Sequence, residues 1–291
     1  MERLKSSISY NFYRFTQKWT LLGVLGVAAM LAWLAVFASA KIDGAKIYFF
    51  DVGQGDAIFI ELPDGRQILI DGGPDAKVLE GLGKVMPFWD REIDIMIATH
   101  ADADHLAGLV PALAHYEFGT IIWNGIAAET KIFKEWQEAV DSEGAEVVVG
   151  RCCMRFTLSN QAFFEILYPL NLTRNGGVTN DTQNNLSLVI RFAYGNASFL
   201  LTGDIERQVE REIVQQNFNL QSNVLKIPHH GSKTSSSELF LEAVRPQVAI
   251  ISAGRNNSYG HPHPAILQRL KNYDIDIRRT DLEGDIIYET K

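Results

Sequence analysis

The sequence predicts an α/β domain with two central sheets and helices on the outside. Three observations lead there. Short apolar runs with strand character alternate with helical patterns, and the early runs are hairpin-like. A chain of 291 residues at 46% hydrophobic composition can also bury one large core. No repeat at a solenoid or propeller period and no Pro-, Ser- or Gly-rich linker divides it.

The first strand pattern runs from Lys46 to Val52. Ala57 to Leu62 and Gln67 to Ile70 follow, separated by a Pro63-Asp64-Gly65 turn. A helical pattern over Lys77 to Met86 leads into the apolar run Ile93 to Thr99 and then a helix over His105 to His115. Strands at Gly119 to Trp123 and Glu146 to Val149 flank a helix over Thr130 to Ser142. A second strand-rich stretch covers Phe163 to Tyr168, Leu186 to Tyr194 and Ala197 to Leu201. Helices over Ile205 to Asn217, Ser236 to Val244 and Pro264 to Tyr273 then alternate with strands at Val224 to Ile227, Val248 to Ser252 and Asp285 to Tyr288. Each helix needs a sheet face to cover, which places the helices outside.

The N-terminus reads differently. Trp19 to Ala40 carries no charge and is long enough to cross a bilayer as a helix, which divides the chain into segments 1–18, 19–40 and 41–291. Ala38-Ser39-Ala40 also fits a cleavage site, which would leave the domain secreted. The run exceeds the usual ~7–15 apolar residues of a signal peptide, and its leader is long, so an uncleaved anchor is preferred. Arg3, Lys5, Arg14 and Lys18 precede the span, against Lys41 and Lys46 after it. That asymmetry predicts a single-pass cell-membrane protein with residues 1–18 in the cytoplasm and the main domain outside.

The whole chain has net charge −8, and residues 1–18 contribute +3, so the remainder carries −11. An acidic domain argues against a broad basic nucleic-acid surface, and any polyanion would be held locally, by metals and a few cations. Cys152 and Cys153 are adjacent, which is too close for an ordinary disulfide, and read as small apolar packing.

The chemistry concentrates where strands end. After the run Ile93 to Ala98, His100, Asp102, Asp104 and His105 place four metal-competent side chains in six positions. A polar turn with Asp104 capping a helix accounts for one aspartate and neither histidine. Asp204 closes Phe199 to Gly203, His229-His230 closes Val224 to Pro228, and His261-Pro262-His263 follows a polar loop after Ser252. Six of the seven histidines thus fall in three clusters at strand ends, which packing alone does not explain; His115 lies on a helical pattern.

The segments Phe50-Asp-Val-Gly-Gln-Gly-Asp56, Leu69-Ile-Asp-Gly-Gly73, His100 to His105, Leu201-Thr-Gly-Asp204 and Lys226-Ile-Pro-His-His-Gly-Ser232 together resemble the metallo-β-lactamase superfamily. They are most similar to the branch typified by the C-terminal domain of the competence DNA-uptake protein ComEC. Asn185 to Val189, Gly260-His-Pro262 and Thr280 to Gly284 match that branch too.

The resemblance covers about 46–291 and implies an αββα four-layer sandwich with metals at the sheet edges. It makes His100, Asp102, Asp104, His105, Asp204 and His230 the metal set, with Asp204 bridging two ions and His230 taken in preference to His229. Two departures matter. The usual HxHxDH is HxDxDH here, and Asn180 to Ser187 stands where a third histidine would lie. One site's shell is oxygen-rich and incomplete, which favours a harder or more weakly bound ion such as manganese there and allows one-metal occupancy; the expected cofactor is one or two divalent ions, zinc or manganese.

Asp56 and Asp71 read either as turn residues or as groups orienting the ligand histidines. Ser232, Lys233, Arg255, Asn256 and His261 are candidates for holding an anionic substrate. The expected function is a membrane-anchored metal-dependent hydrolase of phosphoesters, a phosphodiesterase or nuclease. Asp104 would orient the attacking water and His261 would stabilise a phosphoryl or leaving oxygen. The alternatives are a cell-wall phosphocholine esterase or lactonase and a non-catalytic DNA-uptake accessory module. The expected partners are an anionic phosphoester, DNA among them, the membrane, and a DNA-uptake machinery whose pore another chain provides.

Overall fold

Side chains that alternate between two apolar environments build this fold, a computed structural model describing residues 18–31, 33, 43–170 and 183–290. The chain divides into two units, Met1–Asp43 and Gly44–Lys291. In the first, α1 spans residues 18–31. Among the described residues no helix is long and apolar enough to cross a membrane. Within the span expected over 19–40, residues 19–31 and 33 are helical, and residues 32 and 34–40 lie outside the described residues.

The second unit contains two seven-stranded sheets. Sheet A comprises β1 (Lys46–Phe49), β2 (Ile58–Glu61), β3 (Gln67–Ile70), β4 (Glu92–Ala98), β5 (Glu117–Trp123), β6 (Glu146–Val149) and β14 (Ile286–Glu289), in the order β14-β1-β2-β3-β4-β5-β6. Sheet B comprises β7 (Arg155–Thr157), β8 (Ala162–Tyr168), β9 (Val189–Tyr194), β10 (Ala197–Leu201), β11 (Val224–Lys226), β12 (Val248–Ile251) and β13 (Asp276–Arg279), in the order β13-β12-β11-β10-β9-β8-β7. Pairing is parallel from β3 to β6 and from β10 to β13, and antiparallel elsewhere. The last strand pairs with the first, with Lys46 opposite Glu289.

Period-two alternation assigns the faces. Ile47, Phe49, Ile58, Ile60, Ile68 and Ile70 of sheet A share one buried cluster with Phe164, Ile190, Phe192, Phe199 and Leu201 of sheet B. The intervening Tyr48, Phe59 and Leu69 face outward beneath α2 (Lys77–Val85), α4 (Leu109–Leu113) and α5 (Lys131–Glu143). Leu200, Leu225 and Ile251 likewise pack under α6 (Arg207–Gln215), α7 (Glu238–Val244) and α8 (Pro264–Asn272). Three apolar interfaces between four layers give the αββα sandwich, and strands buried on both faces explain the near-continuous apolar runs.

Some boundaries differ from expectation. The helix expected over His105 to His115 is two short ones, α3 (Ala103–Leu106) and α4, joined by Ala107 and Gly108, whose torsions stay right-handed helical; the interruption lies in the hydrogen bonding of Gly108. Its N–H donates to Gly73 O at 2.9 Å, and a Cβ at Gly108 would collide with the carbonyl oxygen of Gly72. The expected strand start at Leu186 is instead a 3₁₀ turn, Gln183–Leu186. Two edge strands, β7 and β13, and the one-turn helix α9 (Thr280–Glu283) were not anticipated. Cys152 and Cys153 are both free thiols, half-buried and exposed respectively rather than core.

Candidate metal centre

The polar clusters meet where the parallel strands of both sheets end, the edge at which α/β proteins place their sites. Asp71 follows β3, His100 follows β4, Asp204 follows β10, and His230 follows β11. Asp102 opens α3 as its N-cap residue, and that single turn carries Asp104 and His105. The turn Pro228–Gly231 brings His230 inward by a left-handed backbone at His229 (φ 51°), His230 (φ 53°) and Gly231 (φ 81°). For the two histidines this conformation costs roughly 1–3 kcal/mol each, which the surrounding structure must offset.

Ligand-competent atoms of Asp104, His105, Asp204 and His230 all lie within 4.8 Å of one another. His105 Nε2 is 3.3 Å from Asp204 Oδ1, and His230 Nε2 is 3.2 Å from Asp204 Oδ2 and 3.4 Å from Asp104 Oδ2. The structure thus sets Asp204 between two imidazoles. The pair His100 and Asp102 stands beside this group, with His100 Nε2 3.6 Å from Asp102 Oδ2 and the His100 and His105 rings 4.2 Å apart. His100 and Asp102 are not members of the four-residue constellation.

A network behind the rings sets their tautomers. His105 Nδ1 donates to Asp71 Oδ2 at 2.8 Å. His100 Nδ1 donates to Thr99 Oγ1 at 3.0 Å, which passes its own proton to Asp71 Oδ2 at 2.7 Å. His230 Nδ1 donates to Ser252 O at 3.0 Å. With each Nδ1 engaged as a donor, each Nε2 is the ring atom left to meet a cation, and all three Nε2 atoms are buried without a hydrogen-bond partner, as is Asp204 Oδ1. Buried polar atoms left unpaired are costly, and several converging on one point fit a cation. Asp71 is therefore an orienting group, because one carboxylate buttresses both histidines of the loop after β4.

Asp56 has a different partner, which the sequence reading missed. Lys226, fully buried at the end of β11, places Nζ 2.7 Å from Asp56 Oδ2 and donates to Ile227 O at 3.0 Å. Asp56 Oδ1 is 3.4 Å from His230 Nδ1. The one signal was a lysine inside an otherwise apolar strand. Burial opposes charge on Asp56, but Lys226 and His230 outweigh it and hold the carboxyl below its usual range. Replacing Lys226 with methionine should destabilise the protein by about 3–5 kcal/mol at neutral pH, since a buried carboxylate loses its counter-charge. The loss should fade as pH falls below about 3.9, where Asp56 is protonated in the unfolded chain as well. Urea unfolding at several pH values measures it; a pH-independent loss would mean that packing, not charge, holds Lys226.

Burial also opposes charge on His105 and His230, yet Asp204, with Asp71 for the first and Asp104 for the second, raises both well above the ordinary imidazole range. Asp204 itself is burdened by burial and held well below its range by His230 and His105. A cation must displace the two imidazole protons. Apparent metal affinity should therefore rise with pH across the neutral range, by up to about 100-fold per unit. Competition against a chelating indicator near pH 6 and near pH 7 checks this; equal affinities would exclude these histidines as ligands.

His261 lies beyond the four-residue group, its ring 6.4 Å from that of His230 and 5.5 Å from that of His229. Burial, then the neighbouring His229 and His230, lower its pKa to about 4, so it is a neutral ring near pH 7. Its Nδ1 is buried without a partner. His229 turns away from Asp204 toward Asn184 (3.2 Å) and Glu206 (3.6 Å). Ser232 is buried and bonded to Thr234 at 3.0 Å, whereas Lys233, Arg255 and Asn256 are exposed. His115 bonds its own helix at Pro111 O, away from the cluster.

A family model described as the metallo-beta-lactamase superfamily matches residues 50–255. ComE operon protein 3 of Bacillus subtilis is 32% identical over 284 residues, covering 91% of this chain and 36% of its own length. Competence protein ComA of Neisseria gonorrhoeae is 32% identical over 245 residues, covering 82% of this chain and 31% of its own. The chain thus spans about a third of these curated relatives. Among solved structures, the metallo-beta-lactamase fold protein YhfI of Bacillus subtilis superposes with a TM-score of 0.56 at 12% identity, covering 85% of this chain and all of that one. That likeness carries the fold alone.

Proposed function

Because the chain belongs to the metallo-beta-lactamase superfamily, we propose that it is a membrane-anchored, metal-dependent phosphodiesterase acting on nucleic acid outside the cytoplasm, in the service of DNA uptake. The observation that carries this reading is the constellation of Asp104, His105, Asp204 and His230, with partnerless ring nitrogens converging on one buried carboxylate. A divalent ion held there supplies Lewis acidity and a water acidic enough to attack at neutral pH.

The chain's own groups do the remainder. Asp104, the most accessible of the four, orients the attacking water, and Asp204 keeps both imidazoles aligned by its negative charge. His261, as a neutral ring, hydrogen-bonds the phosphoryl or leaving oxygen. His100 and Asp102 offer a second, less complete position. With one imidazole and one carboxylate, this position would hold an ion, zinc or manganese, weakly. Relatives named for competence support nucleic acid as the diester and an uptake machinery as the partner.

The full chain in detergent, supplied with manganese or zinc, tests the reading on single-stranded DNA, duplex DNA, bis-p-nitrophenyl phosphate and p-nitrophenyl phosphorylcholine. Chelator-sensitive cleavage of the diesters is expected. Turnover of the phosphorylcholine ester alone would move the protein to the cell-wall esterases, and none at all would make it a non-catalytic module.

Support for the anchor comes from α1, where Leu21, Leu22, Val24, Leu25, Val27, Met30 and Leu31 are each more than half exposed. A helix apolar all round is suited to lipid. Protease added to intact cells should therefore remove the domain and leave the N-terminal segment. A protected domain, or a mature chain beginning at Lys41, would reverse this part of the proposal.

A further inference from the structure

The loop from Ser252 to His263 carries a feature that the hydrolytic centre does not use. Tyr259 projects its ring into solvent, 69% exposed, while stacking on His261 at 5.8 Å and an interplanar angle of 24°. Exposed rings on surface loops are usually loosely held, but this loop is fastened. Asn257 Oδ1 accepts from the N–H groups of Tyr259 (3.2 Å) and His261 (3.0 Å), while its Nδ2 donates to the carbonyl oxygens of Gly254 (2.9 Å) and His261 (2.5 Å). Gly254 N donates to Gln54 Oε1 at 3.2 Å, and Arg255 Nε donates to Asp281 O at 3.1 Å, tying the loop to two neighbouring segments.

The rings form a series. Tyr259 stacks on His261, whose ring neighbours those of His229 and His230, and His230 reaches Asp204. An open aromatic face is thereby held one side chain outward from the cluster. Chain charge supplies the second argument. Residues outside the N-terminal segment carry −11, so phosphate attraction by a broad basic surface cannot retain a polyanion here. Retention must come from contacts that do not depend on net charge, and base–aromatic stacking is such a contact, open to every base because each has a π face.

We propose that Tyr259 is a substrate-positioning residue that stacks against a nucleobase of a single-stranded nucleic acid, next to the phosphate held at the metal centre. The inference rests on the phosphodiesterase reading above. It makes unpaired bases part of the recognised chemistry, since a base inside a duplex has no free face to offer.

The test compares labelled oligothymidylate with an abasic oligomer of equal length, binding to the metal-free full chain in detergent by fluorescence anisotropy. Tyr259→Ala should weaken oligothymidylate binding by about 5- to 100-fold and leave the abasic oligomer's weaker binding where it was. Tyr259→Phe should retain the wild-type preference for bases. With manganese, the same ratio should appear in KM for oligothymidylate rather than in kcat. Equal effects of Tyr259→Ala on both oligomers, or no effect on either, would overturn the proposal. A fall in kcat without a change in binding would make Tyr259 a support for His261 instead. Absence of cleavage in the wild type would count against the phosphodiesterase reading, while the binding comparison would still decide the role of Tyr259.

Discussion

Asp204→Asn is expected to lower turnover by about three orders of magnitude or more and to leave the protein short of metal after purification. The substitution preserves shape while removing a charge that faces two imidazoles at 3.3 Å and 3.2 Å. In the metal-free chain that charge holds His105 and His230 protonated, with burial working against it. Asp204 is also the carboxylate nearest to both Nε2 atoms, so it would help them hold a cation. Metal content by mass spectrometry and turnover of a chromogenic diester, on the same preparation, decide the matter. Wild-type values in both would place the working centre elsewhere.

His261→Ala should separate chemistry from metal binding. Its ring lies outside the constellation, so metal stoichiometry should stay unchanged while kcat falls by roughly 10²–10³, the loss typical of one donor to a developing oxyanion. His230→Ala should instead lose metal, because it removes an Nε2 from the constellation and a hydrogen bond to Ser252 O. If the His261 variant sheds metal and the His230 variant keeps it, the two roles must be exchanged. Because burial keeps His261 neutral near pH 7, it contributes a hydrogen bond rather than a positive charge. Its contribution to kcat should then persist down to about pH 5, above the pH at which the ring protonates.

The two sheets and the position of the polar clusters were legible because they depend on local pattern. Short apolar runs located β1, β2 and β3, whose residues are buried on both faces, and apolar strands ending in His or Asp marked the edge where the site lies. Features that depend on pairing across the chain were not legible. Asp56 and Lys226 are separated by 170 positions, and only folding brings them together. Gly108 reads as an ordinary residue in an apolar helix until Gly72 is found against it. The edge strands β7 and β13 carry few buried residues, so their alternation is faint. Tyr259 was passed over for a similar reason, because exposure of a ring on a fastened loop is a three-dimensional property.

The pairing of β14 with β1 also constrains the order in which this chain can fold. Sheet A begins at Lys46 and acquires its outermost strand only when Ile286–Glu289 arrives, some 240 residues later. A chain threaded across a membrane from its N-terminus would expose the outer edge of β1 throughout that passage, an unpaired apolar strand of the kind that recruits other chains. Contacts of such long separation also slow folding. Under the proposed export, the domain would pass through a window of vulnerability that the arrival of its last strand closes.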